Sequence, residues 1–218
     1  MATVIEESPM IELSETTPQP IQPPIVLTQV EGQPYLFTVE QFRQMVAKEV
    51  LTKSDKVELL EGCVIRKMTV NTSHRFVLQM LTRWLTPPVP EQKSLFSQSP
   101  IRLQTSAPEP DLAICEGPFS LYRISDPSPG DVLVAIEISD SSLRLDRLVK
   151  RRIYAQAGIP IYWIVNIPDR VIEIYTDPDP TASEPIYRMM RTIRESEMVA
   201  LVLDGTEVGQ ILVKDLLP

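Results

Sequence analysis

The stretch VLVAIEISDSS sets a carboxylate, Glu137, inside a run suited to a buried strand. Burying an ionised carboxylate is costly unless a cation pairs with it. Two further acids stand in comparable places: Asp111 follows Pro110 at the head of PDLAIC, and Glu58 opens VELLEG. Carboxylates on adjacent strands of one sheet suit Mg²⁺, which takes oxygen ligands and keeps several of its waters. Each acid alone also has a plainer account. Asp111 is a common turn residue at a strand start. Glu137 can pair with a core Arg or Lys as readily as with a metal. Glu58 fits an exposed charge at a strand edge.

Lys150 is the cation whose position bears on these acids. From Glu137 the chain runs about four residues outward, or ~13 Å at strand rise. It then returns along SSLRLDRLVKRRIYAQAG, where Lys150 lies about eight residues in, or ~12 Å at helical rise. Lys150 is therefore level with Glu137 and reaches it if the helix face is right. On the helix wheel Leu145, Leu148, Val149 and Ile153 form the core stripe. Asp146, Lys150 and Tyr154 lie beside it at i, i+4 and i+8. An Asp146–Lys150 helical ion pair, worth ~0.3–0.5 kcal/mol, competes for the lysine, and spacing alone favours it. Arg144, Arg147, Arg151 and Arg152 surround Lys150, either as a solvated face or as a stripe that contacts phosphate. His74, the only histidine, stands near a helix start, where a structural role is the commoner one.

The elements that must position these groups read as α/β. TVEQFRQMVAKEVL starts a helix at Thr38, with Gln41 completing a capping box. VELLEGCVIRKMTV is a hairpin turning at Glu61-Gly62. NTSHRFVLQMLTRWL is a helix with Phe76, Val77, Met80, Leu81, Trp84 and Leu85 on one face. SLFSQSPIRL and PDLAIC are strands, and residues 116–130 are a long connection. DVLVAIEI is a strand buried on both faces. With the helix after it, stopped by Gly158, and the strand IYWIVN, it makes a βαβ unit with a parallel pair and a right-handed crossover. VIEIYT and further short strands complete a mixed sheet flanked by helices.

At 218 residues the chain suits one domain, residues 31–218, with a Pro-rich tail over residues 1–30 too polar to bury a core. No apolar run approaches the ~20 residues of a membrane helix. The acidic N-terminal segment lacks the basic and apolar regions of a signal peptide, so the expectation is a cytoplasmic protein. Cys63 and Cys115 match no metal spacing and read as small core residues. A net charge of -8 argues against simple coating of nucleic acid. It still allows action on DNA through a local basic cluster or through metal ions.

PEPDLAIC, AIEISDSS and LDRLVKRRIYAQAGIPIYWIVN, in this order, resemble the Uma-type family of "putative restriction endonucleases" within the PD-(D/E)XK phosphodiesterase superfamily. The resemblance runs from about Phe37 to the C-terminus and takes in VELLEG and His74. It implies a restriction-endonuclease-like mixed sheet flanked by helices. Asp111 and Glu137 would bind Mg²⁺ or Mn²⁺, with the carbonyl of Ile138 as a further ligand. The superfamily's usual lysine position, two residues after the second acid, is Ser139 here. Lys150 takes the place of a lysine displaced to the following helix, and Glu58 matches the family's upstream acid. His74, Arg147 and Arg151 would contact substrate. Cys63 and Asp140 depart from the family's usual acid and proline. The implied activity is metal-dependent hydrolysis of DNA phosphodiester bonds, with a homodimer supplying a site for each strand. The alternative is a DNA- or protein-binding module on the same fold, without cleavage.

Overall fold

The computed structural model describes residues 34–218. The expected tail over residues 1–30 lies outside them. The helices and strands of this region belong to the compact unit Leu36–Pro218.

The first helix, α1 (Val39–Ala47), starts as its sequence dictates. The Thr38 hydroxyl accepts from Gln41 N at 3.1 Å, and the Gln41 side chain accepts from Thr38 N at 2.9 Å. A hairpin of β1 (Val57–Leu60) and β2 (Cys63–Arg66) comes next, with Leu60 opposite Cys63. Its two turn residues, Glu61 and Gly62, both have positive φ, 49° and 79°, as a tight two-residue hairpin requires. A Cβ at position 62 would lie 2.8 Å from Leu36 Cβ, so glycine is needed for space as well. Helix α2 (Thr72–Leu85) is capped by Asn71, whose side chain accepts from His74 N. Its buried face is His74, Val77, Leu81 and Leu85, whereas Phe76, expected on that face, is 39% exposed.

The core is a six-stranded sheet in the order β3-β4-β5-β6-β7-β8. It comprises Lys93–Ser97, Leu112–Glu116, Val132–Ser139, Ile161–Asn166, Val171–Asp179 and Ile186–Arg194. Only β5 and β6 run parallel, joined by the expected helical crossover; the other pairs are antiparallel. Strand alternation splits β5 between two cores. Val134, Ile136 and Ile138 pack with α2 and with the outlying hairpin of β9 (Met198–Leu203) and β10 (Thr206–Leu212). Ala135 points to the opposite side, where Ile153, Tyr154, Ala155, Tyr162 and Tyr175 pack. A third, smaller cluster joins Val39 and Phe42 of α1 to Leu59 and Ala107. Cys115 is buried, Cys63 is half-buried, and both are free thiols.

The crossover helix α3, residues 143–156, is not regular. Its middle, Asp146–Lys150, is a π-helical turn in which Arg151 N bonds back to Asp146 O. A π-turn holds an extra residue and rotates the helix beyond it. Leu148, assigned to the core stripe from an ideal wheel, is therefore 51% exposed, while Asp146 and Lys150 are buried. No helix among the described residues is long and apolar enough to cross a membrane.

Candidate active site

Asp111 stands at the amino end of β4, and Glu137 stands near the carboxyl end of β5. The two strands are antiparallel neighbours, with Leu112 opposite Ile136, so the acids meet at one end of the sheet. Asp111 Oδ2 accepts from Ile138 N at 2.8 Å, which locks the carboxylate to β5. The hairpin brings Glu58 against the same end. Its Oε2 accepts from Glu109 N at 3.1 Å, and it is 2% exposed rather than an open edge charge.

Lys150 lies between two of these acids. Its ammonium is 3.0 Å from Glu137 Oε1 and 3.1 Å from Glu58 Oε1. Asp146, the rival partner, instead accepts from the hydroxyls of Ser139 and Ser142, both at 2.6 Å. The π-turn thus presents Lys150 and Asp146 to β5, with Ser139 anchoring the aspartate. Tyr154, one turn on, donates to Glu137 Oε1 at 2.8 Å. Neither the tyrosine nor the Asp146–Ser139 pair was assigned to the site from sequence. The i, i+4, i+8 spacing of Asp146, Lys150 and Tyr154 was the available signal.

Four buried carboxylates, Glu58, Asp111, Glu137 and Asp146, crowd this end of the sheet. Burial pushes the Glu137 carboxyl well above its ordinary value. Lys150 offsets part of that push, and Asp146, Asp111 and Glu58 add to it. Burial likewise raises Asp146 against the opposing pull of Lys150 and its two serine bonds. Burial alone would lower Lys150, but Glu137, Glu58 and Asp146 outweigh it and hold the ammonium charged. One cation shared among several acids leaves the cluster short of positive charge.

His74 Nε2 lies 3.1 Å from Asp111 Oδ2. A carboxylate only accepts, so Nε2 carries the proton. Its Nδ1 is buried without a hydrogen-bond partner among the described residues. Glu58, His74, Asp111, Glu137, Asp146 and Lys150 all line one cavity of about 740 Å³. Arg147 and Arg151 do not line it. Arg147 grips the buried Glu173, its Nε 3.1 Å from both carboxylate oxygens, and Arg151 lies over the Tyr175 ring.

Among the described residues no three acidic, histidine or cysteine side chains converge closely enough to hold an ion by themselves. Asp111 and Glu137 each keep an oxygen to spare. Asp111 Oδ1 meets Gln98 at a long 3.5 Å, and Glu137 makes its bonds through Oε1. One or two carboxylates supplemented by water is the usual way Mg²⁺ is held. The donor set therefore fits that ion in kind.

The chain matches the model of the Uma2 family, described as "Putative restriction endonuclease", over residues 39–207. Its fold is similar to the crystal structure of a "putative nuclease" of the DUF820 group from Anabaena variabilis. The TM-score is 0.58 at 15% sequence identity, covering 83% of this chain and 97% of the other. No curated protein matches.

Proposed function

From the premise that this chain belongs to the Uma2 family, we propose that it is a nuclease hydrolysing DNA phosphodiester bonds in the cytoplasm, with Mg²⁺ or Mn²⁺ held by Asp111 and Glu137. The observation that carries this reading is the position of Lys150. Its ammonium is fixed 3.0 Å from Glu137 and 3.1 Å from Glu58, in a cavity that Asp111 also lines. Asp111 and Glu137 would hold the divalent cation, which when bound would lower the pKa of a bound water and offset charge that builds on the phosphate. Lys150 supplies a fixed positive charge beside the same phosphate and orients the attacking water. Glu58 acts through Lys150, holding the ammonium together with Glu137. His74, on the cavity wall, keeps Asp111 oriented through its Nε2 bond. Cutting both strands of a duplex calls for two such sites, which a homodimer would provide.

Mg²⁺ titration calorimetry on the pure protein tests this reading. Wild type should take up the ion, and Asp111→Asn and Glu137→Gln should each lose most of that binding. A second reading, a DNA- or protein-binding module without cleavage, draws on the lack of any three-ligand cluster among the described residues. Absence of Mg²⁺ and Mn²⁺ uptake by wild type would favour it.

A further inference from the structure

The cavity is a poor place for a polyanion. Glu58, Glu109, Asp111, Glu137, Asp140 and Asp146 all line it. A nucleic-acid backbone seated there needs cations at the mouth, because phosphate contacts supply most sequence-independent affinity. Four lysines line the cavity: Lys53, Lys56, Lys67 and Lys150. Lys150 is buried and committed to Glu137 and Glu58, and Lys67 is ion-paired to Glu109. Lys53 and Lys56 are exposed and have no ion pair among the described residues.

Their backbone is held in place. Lys53 opens a 3-10 turn, Lys53–Asp55, closed by a reciprocal cap, and Lys56 follows it directly. Asp55 Oδ2 accepts from Thr52 N at 2.7 Å and from the Thr52 hydroxyl at 2.9 Å. Lys56 O accepts from Lys67 N at 2.7 Å, tying the turn to the end of β2. The arginines expected to contact phosphate, Arg147 and Arg151, are by contrast engaged with Glu173 and Tyr175 away from the cavity.

We propose that Lys53 and Lys56 are the phosphate-contacting residues that seat a nucleic-acid backbone across the mouth of the cavity. The strand then crosses on the side of the turn before β1, not along the outer face of α3. This assignment rests on the nuclease reading, and the test separates the two. A short labelled duplex is titrated by fluorescence anisotropy over a salt series, in Ca²⁺ so that the strands stay whole. Each contact contributes about 0.9 to the slope of log affinity against log salt. Lys53→Ala/Lys56→Ala should therefore flatten the slope by about 2 and weaken binding roughly fifty-fold at ~0.1 M salt. Lys53→Arg/Lys56→Arg should restore both. A charge-matched control on the sheet edge, Arg191→Ala/Arg194→Ala, should leave the slope unchanged. If wild type binds and the lysine variant keeps its slope, the assignment falls while the nuclease reading stands. An equal loss in the control would trace the effect to net charge and would also overturn the assignment. If wild type binds no duplex, both fall together.

Discussion

Replacing Lys150 with methionine tests the charge arrangement at the site. The lysine is 5% exposed and contacts two carboxylates that are themselves buried. Methionine fills similar volume but leaves Glu58 and Glu137 buried without the cation they share. Breaking a buried pair in this way costs about 3–5 kcal/mol. For a domain of this size that lowers Tm by roughly 10 °C at pH 8. The loss should depend on pH, and its sign comes from the direction of the Glu137 shift. A carboxyl whose folded pKa is raised binds its proton more tightly folded than unfolded. Its contribution to stability is full below the unfolded value and is lost as pH rises through the folded one. Lys150 itself, held charged well past neutrality, does not change between pH 5 and 8. Removing it pushes Glu137 up further, so Lys150→Met should fall behind wild type more at pH 8 than at pH 5. Thermal melts of both proteins in chelator, across that range, measure the gap. A loss under about 1 kcal/mol, or one that does not shrink towards pH 5, would refute the reasoning.

Glu137→Gln removes the desolvated charge itself. In chelator it should be at least as stable as wild type at pH 8, the advantage fading towards pH 5, as melts at the two pH values will show. Arg147→Ala should cost about 2–3 kcal/mol in denaturant melts, because it strands the buried Glu173, with the solvent-exposed part of the guanidinium reducing the figure. Gly62→Ala and Gly205→Ala both place alanine at positive φ, near 1 kcal/mol of strain each. Only at position 62 does the new methyl also collide with Leu36, so that variant should melt measurably lower than the other.

Local chemistry made much of this fold readable. The Thr38/Gln41 cap, the Glu61-Gly62 turn and the parallel β5–β6 pair each depend on residues close in sequence or on unbroken apolar runs. Strand and helix rise placed Lys150 level with Glu137, but spacing alone favoured its pair with Asp146, and only the family resemblance pointed to the contact with Glu137 that the fold makes. Other features depend on contacts that no local window contains. Glu58 is buried because the hairpin packs beneath a loop 51 residues away, where Glu109 N meets its carboxylate. Arg147 belongs to Glu173, 26 residues on, while Arg151 lies over Tyr175 and Arg152 pairs with Glu61, so three arginines of the stripe on the helix wheel have separate partners. The π-turn was also out of reach. Its sequence, DRLVK, reads as ordinary helix, and the extra residue is held by tertiary bonds, among them Tyr162 Oη to Asp146 O at 3.2 Å. An ideal wheel therefore placed Leu148 inside and left Asp146 and Lys150 beside the core stripe, where the folded helix turns both towards β5.

Conversion of supercoiled plasmid to nicked or linear DNA tests the central claim most directly. The assay compares wild type with Lys150→Ala and Glu137→Gln, each with Mg²⁺, with Mn²⁺ and with chelator. The account predicts cleavage by wild type only when a divalent ion is present. It predicts none by Glu137→Gln, and none by Lys150→Ala even where calorimetry shows that this variant still takes up the ion. Intact plasmid with wild type under every condition, or equal cleavage by all three proteins, would contradict it.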